Sequence, residues 1–166
     1  MVDFRRKSSR TWPRQHGNLD GAANIAGAGQ IPDFLGELSD QELDSMINMN
    51  LQGHFSCIRA MLPHLNRESS VVCVTSGTGL YGMPGAAAKE YGFRGIRFNA
   101  VAPGLIDTPA VHNAGGLETF QPLVDATALQ RIGKPTEIAH VVAFLLSEES
   151  SFIDGEVISA DGGFRC

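Results

Sequence analysis

Three polar segments of the chain carry side chains that could bind a ligand or move a proton. They are the Asn-Ile-Ala-Gly turn at residues 24–27, Ser76 behind an apolar run, and the Pro-Gly corner within residues 99–109. A serine hydroxyl can hydrogen-bond a reacting oxygen and stabilise the charge that develops on it. Glycine has no side chain, so a Pro-Gly corner lets the backbone approach a ligand closely. These segments predict a ligand-binding edge.

Apolar patterning predicts the elements that would position these segments. Strands are predicted at residues 19–23, 71–75, 96–101 and 156–159, and helices at residues 39–65 and 136–146. Ser39 is predicted to cap the first helix, with Glu42 as its capping-box partner. Alternation of strands and helices predicts a parallel sheet with right-handed crossovers. Because parallel strands deliver their carboxyl ends to one edge, the polar segments should meet there.

The glycine-rich segment at residues 77–95 is the exception to this order. Only residues 86–91 are predicted to form a helical turn or two, which would leave one face of the sheet without a covering helix. Its first residues, 77–82, fit a G-x-G-x-x-G phosphate loop. No helix is predicted to begin at Gly82, and the acidic residue expected further on is missing, so an ordinary glycine loop is the alternative.

Composition limits the classes of function. A net charge of −5 argues against a general nucleic-acid surface, and no apolar run is long enough to cross a membrane. Three scattered cysteines favour a reducing compartment, and a cytoplasmic location is expected. Residues 1–15 are basic and are interpreted as a disordered leader ahead of one domain at residues 16–166. An organelle transit peptide is the alternative for the leader.

The role of Asn50 stays open, and the histidines are not interpreted as metal ligands. Asn50 lies within the first helix among apolar residues, where its amide must find a partner, so a structural and a functional role both stay open. The five histidines have no metal-ligand spacing, and no metal is predicted.

Six motifs in a fixed order resemble those of the classical short-chain dehydrogenases/reductases. They are Asn24-Ile25-Ala26-Gly27, Asn48-Met49-Asn50-Leu51-Gln52-Gly53, Val74-Thr75-Ser76, residues 99–109, Arg131-Ile132-Gly133-Lys134-Pro135 and Asp161-Gly162-Gly163. The resemblance covers about residues 16–163. It implies an α/β fold with a partial Rossmann-like, doubly wound parallel sheet of about four strands. It also implies an oxidoreductase that transfers hydride between NAD or NADP and an alcohol or carbonyl substrate.

The resemblance also implies a role for each matching residue. Catalytic roles fall to Ser76, which would hydrogen-bond the substrate, and to Asn50, which would organise a proton-relay water. Cofactor binding falls to Asn24, Ala26 and Gly27 beside the adenosine ribose, and to Pro103, Gly104, Ile106 and Thr108 around the nicotinamide and phosphates.

Two departures from the family pattern concern its catalytic machinery. The family's Tyr-x-x-x-Lys is missing, because the two tyrosines, Tyr81 and Tyr91, are each followed four residues later by glycine. The residues before Ala88 and after Lys89 resemble the two ends of the family's catalytic segment, which implies that the part between them has been lost. The glycine-rich phosphate loop and the first strands of the family are also expected to be absent, with residues 1–15 in their place.

Three hypotheses follow for this polypeptide. The first is an NAD(P)-dependent oxidoreductase whose catalysis is impaired. The second is a non-catalytic remnant, truncated or alternatively spliced, that acts as an interaction module in a homo- or hetero-oligomer or has no activity. The third is an error of gene prediction, which sequencing the transcript across the codons for Ala88 and Lys89 would reveal. The substrate and the choice between NAD and NADP stay open.

Overall fold

A four-stranded parallel sheet forms the centre of the described part of the protein. The computed structural model describes residues 17–27, 38–75 and 82–164, so the predicted leader lies outside it. The strands lie in sequence order and are β1 (Leu19–Asn24), β2 (Leu65–Val74), β3 (Arg97–Pro103) and β4 (Val157–Ala160). The predicted α/β fold with about four parallel strands is confirmed.

Helices connect the strands and cover both faces of the sheet. They are α1 (Asp40–Met46), α2 (Gly53–Met61), α3 (Gly82–Tyr91), α4 (Pro109–Asn113), α5 (Gly116–Thr119), α6 (Gln121–Asp125) and α7 (Pro135–Leu146). None of these helices is long and apolar enough to cross a membrane.

The capping box predicted for the first helix is present. The Ser39 hydroxyl accepts the Glu42 amide at 3.3 Å, and the Glu42 carboxylate accepts the Ser39 amide at 2.9 Å. The predicted continuous helix is interrupted, however, by a π-helical turn at Ile47–Gln52 between α1 and α2. At its end the Gly53 amide bonds to the Asn48 carbonyl, five residues back, which inserts an extra residue into the turn.

The prediction that residues 77–95 lack a covering helix is wrong. Residues from Gly82 to Tyr91 form α3, which buries Pro84 and Ala87. Proline is tolerated in the first turn of a helix, where its missing N–H has no intrahelical partner to lose. Ala87 belongs to a core cluster with Ile58 of α2 and Phe98 of β3, so burial overrides the weak helix propensity of the glycines.

The opposite face of the sheet packs against α7. Val142 and Leu145 of this helix are buried with Val72 of β2 and Val101 of β3. The Arg97 guanidinium also bonds to the carbonyls of Leu145, Ser147 and Ile153, at 3.1, 3.0 and 3.2 Å. These carbonyls include helix-end groups that lack intrahelical partners, so Arg97 ties β3 to the end of α7.

Candidate functional site

The carboxyl ends of β1, β2 and β3 meet at one edge of the sheet. Asn24 at the end of β1 pairs in register with Cys73, and Val74 at the end of β2 pairs with Val101. The residues after these strands therefore lie side by side, as predicted from the sequence. Asn24 is 8% exposed, and its side-chain nitrogen is buried without a hydrogen-bond partner.

Asn50 lies beside the turn that follows β1. A side-chain carbon built on Gly27 would sit 3.1 Å from the Asn50 side-chain oxygen. Asn50 is half-buried and belongs to the π-helical turn, a distortion that occurs frequently at functional sites. The structure thus brings together Asn24, Gly27 and Asn50. Ala26 is exposed in the same turn.

The Pro103-Gly104 corner packs against the residue after β4. A side-chain carbon on Gly104 would lie 2.7 Å from the Asp161 α-carbon, and the Gly104 amide donates to the Ala160 carbonyl at 3.1 Å. Glycine is therefore required here by the close approach of two backbone segments. The close approach of a ligand, which the sequence predicts for this corner, stays a prediction.

The loop after this corner is held by Gly133. The Gly133 amide donates to the Leu105 carbonyl at 3.0 Å, and the Asp107 amide donates to the Gly133 carbonyl at 2.9 Å. A side chain at Gly133 would meet the Ile106 δ-carbon at 2.6 Å. Ile106 and Thr108 are both half-buried at this point, so the loop keeps them at the edge of the sheet.

Ser76 and Tyr91 do not belong to the described part of this edge. Ser76 lies outside the described residues, with most of the glycine loop that follows it. Tyr91 ends α3, and its ring packs 5.9 Å from that of Phe98 near the beginning of β3. In a parallel α/β unit the end of a crossover helix lies at the amino edge of the sheet, so Tyr91 and Lys89 lie far from the carboxyl edge.

A pocket of about 280 Å³ adjoins Ile106 on the side of α7 and β4. Its lining includes Leu129 and Ile138 as apolar walls and the ion pair of Arg131 with Glu137. Two hydrogen bonds at 2.9 and 2.7 Å join that pair. These bonds, and then the Lys134 amide, lower the pKa of Glu137 from 4.5 to about 2.

Several groups that shape this edge cannot be predicted from the sequence pattern. The pair of Asp107 and His112, the contact of Gly104 with Asp161 and the bridge from Ile106 to Gly133 all depend on tertiary neighbours. Gly133 stood in a recognised motif, but its spacing alone did not indicate its partner. The described residues contain no group of three or more side chains that could hold a metal ion.

A parallel sheet with helices on both faces and glycine turns at its carboxyl edge defines a Rossmann-like α/β protein. The family model described as enoyl-(acyl carrier protein) reductase matches residues 7–165. A short-chain dehydrogenase/reductase of the fungus Pyricularia oryzae, ABA4, is 38% identical over 90% of this chain and 64% of its own length. The 3-oxoacyl-[acyl-carrier-protein] reductase FabG of Thermotoga maritima is 36% identical over 90% of this chain and 68% of its length.

Solved structures of similar proteins have the same fold as this chain. A short-chain dehydrogenase/reductase of Brucella melitensis, described as a glucose/ribitol dehydrogenase, superposes with a TM-score of 0.88 at 32% identity, covering all of this chain and 73% of its own. A blue fluorescent protein from a metagenomic library, solved with NADPH, gives 0.86 at 27% identity over 98% and 71%. The chain belongs to the short-chain dehydrogenase/reductase family.

The chain is shorter than these relatives. It spans 64% of the length of the fungal protein. That alignment runs over 174 positions, more than the 166 residues of this chain, so the fungal protein has residues within the aligned region that this chain lacks.

Proposed function

We propose that this chain is built on the scaffold of an NAD(P)-dependent oxidoreductase for an alcohol or carbonyl substrate, keeps part of the cofactor edge, and does not turn over substrate unaided. The nicotinamide of such a cofactor supplies or accepts the hydride. The residues of the chain would bind and orient cofactor and substrate, with Ser76 as the hydrogen-bond donor to the substrate oxygen.

The described edge supports a cofactor of this kind. An unpaired buried amide costs about 1–3 kcal/mol, so the Asn24 nitrogen calls for an acceptor that a ligand or an ordered water would supply. Gly27 leaves space above Asn50, and Ile106 and Thr108 remain partly accessible on the next loop. Asn24 and Gly27 would lie beside the adenosine ribose of the cofactor, and Ile106 and Thr108 would contact its nicotinamide and phosphates. No described residue indicates whether the cofactor is NAD or NADP.

The position of Tyr91 is the observation that carries the proposed loss of turnover. A general acid must lie within hydrogen-bond reach of the oxygen it protonates, which is about 3 Å. Tyr91 packs against Phe98 near the start of β3, at the opposite edge of the sheet from Asn24 and Thr108. Tyr81, the other tyrosine, has glycine where the family pattern places lysine.

The chain should therefore bind a cofactor without turning over a substrate. Isothermal titration calorimetry with NAD⁺ and with NADP⁺ measures binding, and oxidation of NADH or NADPH in the presence of a panel of ketones measures turnover. We expect detectable binding of one cofactor and no turnover above the rate without protein. If neither cofactor binds, the proposal that the chain keeps part of the cofactor edge is refuted. Turnover by the unmodified chain would refute the proposed loss of turnover.

A chimaera sharpens the test of turnover. A segment with the family's Tyr-x-x-x-Lys pattern can be inserted between Ala88 and Lys89, and the same insertion with phenylalanine for the tyrosine is the matched control. We expect turnover from the first chimaera and none from the second, with circular dichroism confirming that both are folded. Equal activity of the two would show that the missing tyrosine is not the cause.

An exposed apolar stripe favours an interaction module as the second candidate function. Leu43, Ile47, Leu51 and Phe55 recur every four residues along α1, the π-helical turn and α2, and each is 40–50% exposed. Contiguous apolar surface of this kind marks interaction sites in folded proteins. The partner would be a second copy or a longer relative.

Light scattering after size-exclusion chromatography tests this candidate. Association is expected for the unmodified chain, and I47D should dissociate it because a carboxylate would be buried without a partner. F152D is the control, since Phe152 is fully exposed and lies outside the stripe. A monomeric unmodified chain, or equal dissociation by both variants, would contradict the interaction module.

A further inference from the structure

The beginning of α4 lacks the hydrogen bond that its sequence would ordinarily provide. Thr108 occupies the N-cap position with extended backbone angles, φ −133° and ψ 159°, and Pro109 follows at the first helical position. A threonine at this position usually accepts a backbone N–H of the first turn through its hydroxyl. Here the hydroxyl makes no capping bond, and only the Thr108 carbonyl accepts, from Val111 at 3.0 Å and His112 at 3.2 Å.

A side-chain pair spans Thr108 at the beginning of the helix. The His112 ring nitrogen Nε2 lies 2.7 Å from a carboxylate oxygen of Asp107. Asp107 precedes the N-cap, and His112 is the fourth residue of the helix. These are the two positions that a hydrophobic staple joins to fix the angle at which a chain begins a helix. The carboxylate also lies next to the positive end of the helix, where negative charge is favourable.

The backbone before Thr108 is already fixed by Gly133, as described above. The Asp107 amide donates to the Gly133 carbonyl, and Ile106 pairs with Gly133 in a parallel bridge. Asp107 is thus anchored on its backbone side, and its carboxylate reaches forward over the first turn of α4. The anchored loop and the helix are joined through His112.

We propose that Asp107 and His112 form a polar staple that sets the direction of α4 and leaves the Thr108 hydroxyl free for the cofactor. His112 is in this sense a positioning residue. The cofactor part of the inference rests on the proposed function, whereas the staple itself can be tested without any ligand. Both side chains are about half exposed, 54% for His112 and 48% for Asp107, so the pair governs local geometry more than global stability.

Hydrogen exchange on the protein without cofactor tests the staple. H112L removes the bond, whereas H112Q keeps an N–H donor at a similar reach. H140L is the control, because His140 is an exposed histidine on α7. The Ala114 amide, which bonds to the Ala110 carbonyl, should exchange about fivefold faster in H112L, the upper range for an exposed ion pair. H112Q and H140L should match the unmodified chain. Equal exchange in H112L and the unmodified chain would overturn the staple.

Cofactor affinity tests the role assigned to Thr108. H112L should weaken binding of NAD⁺ or NADP⁺ about fivefold with the melting temperature unchanged, and H112Q should restore it. In a double-mutant cycle, H112L should add no further loss to T108V, because its effect passes through the hydroxyl. Additive losses would overturn the positioning role. If the unmodified chain binds neither cofactor, the proposed function and the positioning role both fail, and exchange alone then decides the staple.

Discussion

Replacing Gly104 by alanine tests the reason for the Pro-Gly corner. The new methyl group would lie 2.7 Å from the Asp161 α-carbon and 2.9 Å from its carbonyl oxygen, distances that only a backbone shift can relieve. Forced overpacking costs about 1–3 kcal/mol, and a shift that breaks the bond from the Gly104 amide to the Ala160 carbonyl adds about 1 kcal/mol. At about 2–4 °C per kcal/mol for a chain of this size, G104A should melt roughly 4–16 °C lower.

Thermal unfolding followed by circular dichroism measures this loss, and G82A is the matched control. Gly82 begins α3, is exposed, and has no atom within 4 Å of a built side chain. G82A should be neutral or stabilising by up to about 1 kcal/mol, because alanine favours a helix more than glycine does. A melting temperature of G104A equal to that of G82A would refute the packing argument. If G104A also lost cofactor binding at full stability, the corner would serve the ligand instead.

Three further substitutions test other parts of the fold. Ionised Glu137 stabilises the fold above pH 4.5, and this contribution is lost as the pH falls from 4.5 towards 2. In urea titrations E137Q should therefore lose less stability than the unmodified chain over that pH range. Equal losses in the two proteins would contradict the pairing of Glu137 with Arg131. His54 is 2% exposed with both ring nitrogens unpaired, so H54L should raise the melting temperature, and a lower value would show that the ring has a partner. R97M removes three charge-assisted bonds and should cost about 2–4 kcal/mol in urea unfolding. If R97K were as stable as the unmodified chain, the positive charge alone would matter, and the three bonds of the guanidinium would not.

Local signals explain which elements could be predicted. The apolar runs of β2 and β3 and the capping box at Ser39 can be recognised from neighbouring residues alone, and the structure confirms these elements. The helix α3 was underestimated because its glycines and Pro84 have poor propensity, and only contact of Ala87 with the core makes the helix favourable.

Some features of the site could likewise be predicted from the sequence, and others could not. The carboxyl edge follows from strand order, so Asn24 and the Pro103-Gly104 corner were correctly expected to share it. The clash that requires glycine at position 104 comes from Asp161, 57 residues further along the chain, and no local pattern encodes it. The pair of Asp107 and His112 is local, but it needs the direction of α4, which spacing does not supply.

The end of α7 has a consequence for the order in which the protein folds. The Leu145 carbonyl accepts from the Ser70 hydroxyl at 2.7 Å, from Arg97 at 3.1 Å and from the Ser150 hydroxyl at 3.0 Å. The first two donors lie 75 and 48 residues earlier in the chain. On a ribosome, β2 and β3 are therefore synthesised long before their shared acceptor, and they must wait with Ser70 and Arg97 unpaired. Completion of the sheet is therefore a late event that depends on α7 and β4.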